Sequence, residues 1–256
     1  MSSSARIVSL VPSLTQSVCD LHRGDRLVAV TRYCAEPEEV VEDLPKIGGT
    51  KNPDRERIVA LDPDLVLVNT EENRAEDIEW LRARVRVYES MPRTLTEVAD
   101  VLRNLARLLD CDDEAQSFVL QIEAQMTRIE VESLERGTVR VFLPIWRKPW
   151  MSVNRDTFIH HMLATCGGIN VCADQRSRYP TLEDRHLAEL GAELVLLPSE
   201  PYAFGLREQT QLLQSGMFPG CPVRLVDGRD YSWHGTRTAA ALGRIHELLL
   251  GYRPRC

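Results

Sequence analysis

Long apolar runs are missing from this sequence. No stretch approaches the roughly 20 apolar residues that a helix needs to cross a membrane, which predicts a chain that does not span one. Near the N-terminus, the run from Ile7 to Val11 ends at Pro12 and is too short for the apolar core of a signal peptide. Taken at face value, these features predict a protein that stays in the cytoplasm.

Paired cysteine motifs and a surplus of basic residues are also missing. The sequence has 31 basic and 38 acidic residues and a net charge of −7, with the arginines scattered, which argues against nucleic-acid binding. The cysteines form no CxxC pair and no Cys/His spacing typical of zinc. An odd, unclustered set is typical of free thiols in a reducing compartment. The seven are Cys19, Cys34, Cys111, Cys166, Cys172, Cys221 and Cys256.

Catalytic motifs are absent as well, and an enzyme is therefore not predicted. The sequence contains no G-x-S-x-G, no G-x-G-x-x-G and no Walker A loop, and Gly49-Thr50-Lys51 matches the last only superficially. His160 and His161 are adjacent on a predicted helix, so their side chains point about 100° apart and cannot bind one metal together. His186 is expected on a helix surface.

The longest periodic segment runs from Asp112 to Gly137. Its apolar residues recur every three or four positions, as on one helix face; they are Ala115, Phe118, Val119, Ile122, Met126 and Ile129. Asp112 and Asp113 suit a helix start and Gly137 suits its end, which predicts about 22 helical residues over roughly 33 Å. We interpret this segment as a connector helix between two α/β lobes. The alternative is that it is the longest helix of a single domain.

Short β-branched runs alternate with amphipathic segments on both sides of the connector helix. Before it, we predict strands Arg6–Leu10, Leu27–Thr31, Leu65–Val68 and Val85–Tyr88, and helices Ser13–Leu21 (capped by Ser13), Asp54–Ala60, Ala75–Ala83 and Leu95–Leu109. After it, we predict strands Val139–Leu143, Leu194–Leu197 and Val223–Val226, and helices Thr157–Thr165, Leu182–Leu190 and Thr236–Leu250. The predicted class is α/β, with Rossmann-like lobes at residues 1–111 and 137–256 joined by the helix at 112–136.

The loops that follow the predicted strands are unusually aromatic. Ligands of open parallel sheets bind beyond the carboxyl ends of the strands, so these loops are the candidate site. A single loop aromatic more often covers the local core, but several at one sheet edge favour a large flat ligand. The aromatics are Tyr33, Trp146, Trp150, Tyr179, Tyr231 and Trp233. In the same region, His234 could offer a neutral imidazole to a metal centre, and Cys34 lies in a candidate site loop.

Several of these segments together resemble the substrate-binding proteins of ABC importers for metal chelates, the class in which a helical connector joins two lobes. They span nearly the whole chain in the family's order and are most similar to the cobalamin-binding branch. The segments are RIVSLVPSLTQ from Arg6, IGGTKNP at Ile47–Pro53, ALDPDLVL at Ala60–Leu67, TFIHHMLATCGGIN at Thr157–Asn170, RYPTLED at Arg178–Asp184 and DGRDYSWHGTR at Asp227–Arg237.

The resemblance implies binding without catalysis, by a monomer that has no cofactor of its own. A corrinoid, or alternatively heme or a ferric siderophore, would lie in a cleft between the lobes and be passed to an ABC permease outside the cytoplasm. The implied contact residues are Tyr33, Thr50, Trp146, Trp150, Tyr179, Trp233 and His234, with His234 as an axial metal ligand. Glutamates that dock on the permease would be Glu72 and Glu200, with Glu71, Glu76 and Glu208 as alternatives.

A second hypothesis keeps the scaffold but changes the role. The absence of a leader segment and the seven cysteines suit a cytoplasmic chelate chaperone or a regulatory binding module. Aromatic walls suit corrin, porphyrin and catecholate ligands alike, so the sequence leaves the identity of the chelate open.

Overall fold

The computed structural model describes residues Ala5–Arg253, which form two compact units. The first unit comprises the residues up to Pro92, Thr96–Leu120 and His234–Arg237, and the second comprises Arg93–Leu95, Gln121–Trp233 and the residues from Thr238 onward. Within the described residues, no helix is both long and apolar enough to cross a membrane.

The first part of the chain builds a four-stranded parallel sheet in the order β2-β1-β5-β6. A small antiparallel pair, β3 with β4, lies outside this sheet. The elements are β1 (Ile7–Ser9), α1 (Pro12–Asp20), β2 (Leu27–Val30), α2 (Glu38–Val41), β3 (Gly48–Gly49), β4 (Asn52–Pro53), α3 (Arg55–Ala60), β5 (Leu65–Asn69), α4 (Ala75–Arg82), β6 (Val87–Ser90) and α5 (Leu95–Leu109).

The strands of this sheet are apolar on both faces because helices cover both. Alternate side chains of a strand point to opposite faces. Leu65 and Leu67 of β5 join one buried cluster with residues of α1 and α5, whereas Val66 and Val68 join another with residues of α3 and α4. Continuous apolar strands of this kind are typical of parallel sheets.

Helix α6 (Asp112–Ser133) has 22 residues, the predicted length, and begins at the predicted residue. Its first part, to Leu120, belongs to the first unit and the rest to the second. The predicted end at Gly137 is wrong, because the helix stops at Ser133. The Gly137 carbonyl instead accepts a hydrogen bond from Arg253 Nε at 2.5 Å, and Arg253 also donates to Ser133 Oγ.

The rest of the chain builds a second parallel sheet in the order β12-β11-β7-β9, with β8 and β10 pairing antiparallel beside it. The elements are β7 (Val139–Phe142), β8 (Trp150–Met151), α7 (Phe158–Thr165), β9 (Gly168–Asn170), β10 (Thr181–Leu182), α8 (Asp184–Leu187), β11 (Leu194–Pro198), α9 (Leu206–Ser215), β12 (Val223–Val226), α10 (Arg229–Ser232) and α11 (Thr238–Leu250). The predicted class of two α/β lobes with parallel sheets is confirmed.

Three further predicted helix boundaries are wrong. Helix α1 begins at Pro12, whose fixed φ suits the first helical position, so Ser13 lies inside the helix and is not its cap. Leu182 pairs with Trp150 as a strand residue, and the helix predicted at Leu182–Leu190 is reduced to α8 and one 3-10 turn. Helix α11 begins at Thr238 because Thr236 is held by hydrogen bonds to Ser17 and Asp20.

Candidate functional site

Tyr33 lies at the carboxyl edge of the first sheet, three residues after β2, and its side chain is 56% exposed. The Arg32 guanidinium lies 5.5 Å from the centre of the Tyr33 ring and donates to Asn52 Oδ1 at 3.3 Å. A Cβ at Gly49 would lie 2.6 Å from Asn52 Oδ1 and 3.1 Å from Tyr33 Cε2. The absence of a side chain at Gly49 therefore allows these groups to pack closely over the backbone.

Thr50 is half-buried next to this group, and its backbone is anchored by Asn73. Asn73 Nδ2 donates to the carbonyls of Thr50 at 3.0 Å and of Leu10 at 3.3 Å, while its Oδ1 accepts from Asn69 N at 2.8 Å. Asn73 is not among the residues predicted from the sequence. Its position four residues after Asn69, the last residue of an apolar strand, is a signal that could have found it.

His234 is buried in the first unit, with 4% of its surface exposed. Its Nε2 lies 3.3 Å from Ser90 Oγ, at the end of β6. Burial lowers the pKa of His234 to about 4, so the imidazole is neutral at pH 7. This geometry favours a hydrogen-bonding and packing role for the ring over the axial metal ligand implied by the resemblance.

Trp146 follows β7 at the carboxyl edge of the second sheet and is 44% exposed. Its ring meets the edge of Tyr202 at a centroid distance of 5.4 Å, and Tyr202 in turn contacts Phe204 at 4.6 Å. Neither Tyr202 nor Phe204 was expected at the site, because the segment between β11 and α9 carries no pattern that links it to the loop of Trp146. The exposed Trp146 ring is thus backed by an internal row of aromatic rings.

Trp150 was expected in a loop, but it lies in β8 and is only 3% exposed. Its ring stacks on Phe204 at 6.1 Å with an interplanar angle of 8°. The Arg147 guanidinium lies 4.6 Å from the ring centre and donates to Gln211 Oε1 at 3.3 Å. Beside it is an open cavity of about 560 Å³, lined by Arg147, Lys148, Pro149, Trp150, Thr181, Leu182, Glu183, Asp184 and Arg185.

Trp233 is 8% exposed and is fixed by Glu200 within the second unit. Its Nε1 donates to Glu200 Oε1 at 2.5 Å, and Ser232 Oγ donates to the same oxygen at 3.0 Å. Burial raises the pKa of Glu200, whereas the two hydrogen bonds act in the opposite direction. Glu200 is therefore an internal acceptor in this structure, and docking on a permease would require it to release these partners.

Glu72, the other predicted docking residue, is half-buried in the turn after β5, where its backbone N–H donates to Asn69 Oδ1 at 3.2 Å. The neighbouring Lys51 donates to the Glu71 carbonyl at 2.6 Å. Burial lowers the pKa of Lys51, and the Glu72 carboxylate opposes this shift. Glu72 thus lies in a turn with a lysine near its carboxylate.

The remaining predicted site residues are one aromatic contact residue, Tyr179, and two alternative docking residues, Glu76 and Glu208. Tyr179 is 37% exposed with the Arg178 guanidinium 5.8 Å from its ring centre. Glu76 is exposed and pairs with Arg74 at 3.6 Å, and Glu208 Oε2 accepts from Gly205 N at the start of α9.

The cysteines and histidines form no metal site in the described part of the chain. Within Ala5–Arg253, no group of three or more His, Cys, Asp or Glu side chains is placed to hold a metal ion. Cys34 is buried between the hydroxyls of Thr15 and Thr31, at 3.1 and 3.2 Å. The six described cysteines are free thiols, and Cys256 lies outside the described residues.

Most of the chain matches a known protein family. Residues 7–215 match the family described as periplasmic binding protein. The vitamin B12-binding protein of Vibrio parahaemolyticus is 30% identical over 176 residues, which are 68% of this chain and 64% of that protein. The protein of the same name from Photorhabdus laumondii is 22% identical over 222 residues, covering 86% of this chain and 78% of its own length.

Solved structures share the architecture over nearly the full length. The periplasmic vitamin B12 binding protein of Vibrio cholerae has a TM-score of 0.84 at 19% identity, covering 97% of both chains. The apo form of a periplasmic heme-binding protein from Roseiflexus sp. RS-1 has a TM-score of 0.82 at 22% identity, covering 98% of both. At these identities the likeness shows a common fold.

Proposed function

We propose, from the premise that this chain belongs to the periplasmic binding protein family, that it binds a metal chelate, most specifically cobalamin or another corrinoid. The observation that carries the proposal is the exposure of three aromatic side chains, Tyr33, Trp146 and Tyr179, in loops of a protein whose other described aromatic rings are buried or half-buried. A ring that stays exposed in the folded protein buries little apolar area and so contributes little to the free energy of folding. It does offer a flat apolar contact area to a ligand.

The relatives narrow the class of chelate. The matching protein of Vibrio parahaemolyticus is named for vitamin B12 binding and is 30% identical over 176 residues. We therefore rank a corrinoid above heme and ferric siderophores, which remain as alternative ligands. In this proposal Tyr33, Trp146 and Tyr179 contact the chelate directly, while Thr50, Trp150, Trp233 and His234 hold the loops and walls around them.

The proposed role is binding and delivery without catalysis. Members of this family are binding proteins rather than enzymes. We place the protein outside the cytoplasmic membrane, where it would pass the chelate to an ABC permease. The comparisons give no support to the cytoplasmic chaperone. Recovery of the native protein only in the cytoplasmic fraction would restore that alternative.

Docking on a permease can be tested at Glu72. We expect Glu72→Lys to reduce chelate uptake by cells that depend on this protein, because the change reverses the charge that would meet basic permease residues. The affinity of the purified variant for the chelate should not change. Glu56→Lys is a matched control, since Glu56 is an exposed glutamate of α3 that is not among the candidate docking residues. Equal uptake by both variants would argue against docking at Glu72.

The identity of the chelate can be tested by competition. Purified protein is dialysed to equilibrium against an equimolar mixture of cyanocobalamin, hemin and a ferric siderophore, and the retained chelate is identified from its visible absorbance bands. We expect the corrinoid to be retained in preference to the others. Retention of hemin or the siderophore instead would indicate that the protein binds that chelate rather than a corrinoid. Retention of none would reject the proposal.

A further inference from the structure

The exposed rings of Trp146 and Tyr179 both belong to the second unit, and their loops bond to one short stretch of backbone, residues 151–154. We call this stretch the linking segment. Its first residue, Met151, donates from its backbone N–H to the Trp146 carbonyl at 3.1 Å. The Trp146 N–H donates back to the Met151 carbonyl at 3.4 Å. The backbone of Trp146 is thus bonded directly to the start of the linking segment.

The loop of Tyr179 is bonded to the rest of the linking segment. Ser152 N–H donates to the Pro180 carbonyl at 3.1 Å, and Asn154 N–H donates to the Arg178 carbonyl at 3.0 Å. The residues immediately before and after Tyr179 are therefore both held, which restricts the backbone that carries the ring. Because both aromatic loops bond to one segment, the position of that segment sets the placement of one ring relative to the other.

Two buried side chains fix the linking segment to the second sheet. Ser152 is fully buried and donates from Oγ at 2.7 Å to the carbonyl of Leu143, which directly follows β7. Asn170, the last residue of β9, is 3% exposed and donates from Nδ2 to the Val153 carbonyl at 2.9 Å. Its Oδ1 accepts from Cys172 N at 2.9 Å. The linking segment is thereby bonded to the ends of two neighbouring strands, β7 and β9.

The hydrogen bonds of Ser152 and Asn170 give the linking segment a defined position. Burying a polar side chain costs free energy unless its hydrogen bonds form, and the net gain in stability is then small. Such a bond does impose direction, because it weakens steeply when donor, hydrogen and acceptor are out of line. An apolar contact has no such directional preference. These two bonds therefore restrict where the linking segment lies, and with it the backbone around Tyr179.

We propose that Ser152 and Asn170 are positioning residues of the chelate site, which hold Tyr179 in a fixed place relative to Trp146 so that the two rings form one contact surface. The inference rests on the proposed function and adds to it two residues that act through Tyr179. A ring that is already in place loses less conformational entropy when a ligand binds. Loosening the linking segment should therefore weaken binding while every aromatic contact residue is still present.

A double-mutant cycle between Ser152→Ala and Tyr179→Ala tests this role. Calorimetric titration with cyanocobalamin, hemin and a ferric siderophore measures the affinities, below the lowest melting temperature of the set of variants. For the chelate that binds, we expect Ser152→Ala to weaken binding about fivefold, or about 1 kcal/mol. In the Tyr179→Ala background the same change should weaken binding less than about twofold, or about 0.4 kcal/mol, because no ring remains to be displaced.

Three further variants separate positioning from packing. Asn170→Ala frees the linking segment from β9 instead of β7 and should show the same dependence on Tyr179. Ser152→Thr keeps a hydroxyl and should bind the chelate within about twofold of the unaltered protein. Cys166→Ala is the structural control, since Cys166 is fully buried in the second unit and donates from Sγ to the Leu242 carbonyl at 3.5 Å. It should lower the melting temperature without changing the affinity.

Urea unfolding of the same variants supplies the second measurement. Ser152→Ala should lower the free energy of unfolding equally with and without the Tyr179 ring, whereas its effect on affinity should depend on that ring. Should Ser152→Ala not fold, Asn170→Ala carries the cycle.

The outcomes separate this inference from the proposed function. If a chelate binds but Ser152→Ala and Asn170→Ala weaken binding equally in both backgrounds, or in neither, the two residues serve folding alone and only the inference is overturned. If the unaltered protein binds none of the three chelates, the proposed function fails, and the inference fails with it.

Discussion

Trp146 and Trp233 differ in exposure, and their removal should therefore change different properties. Trp233→Ala removes a ring that is 8% exposed and the donor to Glu200, so we expect the free energy of unfolding to fall by about 3–5 kcal/mol. Trp146→Ala removes a ring that is 44% exposed and should change stability by about 0.5 kcal/mol or less. By analogy with the stacking of bases on aromatic rings, Trp146→Ala should weaken chelate binding roughly ten- to a hundredfold.

Urea unfolding and calorimetric titration of both variants measure these effects. Trp233→Phe is the matched control, since it keeps an aromatic ring but removes the hydrogen bond to Glu200. The sequence predicted Trp233 as a ligand-contact residue in a loop, because it could not show the ring's burial. A Trp233→Ala variant with unaltered stability and lost chelate affinity would support direct contact and contradict the burial argument.

His234 makes stability depend on pH. Its folded pKa of about 4 lies below its ordinary value of 6.5, so the unfolded state binds a proton that the folded state excludes. Stability is therefore lost as the pH falls from 6.5 toward 4. Between pH 7 and pH 5 we expect the unaltered protein to lose about 2 kcal/mol more than His234→Gln does.

Urea unfolding of the two proteins at both pH values measures this difference. Other titrating groups, including Glu200, are present in both proteins, so their contributions largely cancel in the comparison. An equal loss in the two proteins would mean that the imidazole is not held neutral in the folded state.

At the residue scale, the sequence could predict which loops hold candidate ligand-contact residues but not how exposed each side chain is. Tyr33 and Trp146 are exposed as a contact residue should be. Trp150 is covered because Phe204, more than 50 positions later, stacks on it. Contacts over such separations depend on the tertiary fold, which neither residue type nor periodicity records.

At the element scale, long periodic segments were predictable. The apolar run at Leu65–Val68 became β5, and the spacing after Asp112 became a 22-residue helix. Very short elements were missed, including β9 (Gly168–Asn170) and α10 (Arg229–Ser232), and the longer helix α9 (Leu206–Ser215) was missed as well. Three or four residues do not complete a hydrophobic period, so their conformation is set by neighbours rather than by pattern.

The link between α7 and β9 depends on Gly167. Its φ is +84°, and a Cβ there would lie 2.5 Å from Arg253 Cζ. Gly216, after α9, also has a positive φ, of +70°, but nothing lies within 4 Å of its Cβ position. We expect Gly216→Ala to lower the free energy of unfolding by about 1–2 kcal/mol, and Gly167→Ala by roughly twice as much, because it also displaces the Arg253 guanidinium.

Denaturant unfolding of the two variants checks this difference. Arg253 donates to the carbonyls of Gly137, Arg136 and Cys166, so its displacement removes a donor from the buried Cys166 carbonyl and from two half-buried carbonyls. Combining Gly167→Ala with Arg253→Ala should add less than the sum of the single changes. Equal effects of the two glycine changes would show that the guanidinium moves aside freely.

For the whole molecule, the sequence could predict the fold class and the family. The repeated order of strands and helices on both sides of one long helix predicted two α/β units, and the structure contains two parallel four-stranded sheets. The domain boundaries at residues 111 and 136 remain a prediction, because the compact units divide within α6, after Leu120, and exchange short segments. Such exchanges, as at His234–Arg237, leave no periodic signal in the sequence.

Calorimetric titration of the purified protein with cyanocobalamin tests most directly whether this chain binds a metal chelate. We predict one site per chain and a dissociation constant well below about 100 µM, which corresponds to a standard free energy of about −5.5 kcal/mol. Hemin and a ferric siderophore are titrated in parallel to detect the alternative ligands. The absence of binding tighter than that limit for all three chelates would contradict the account.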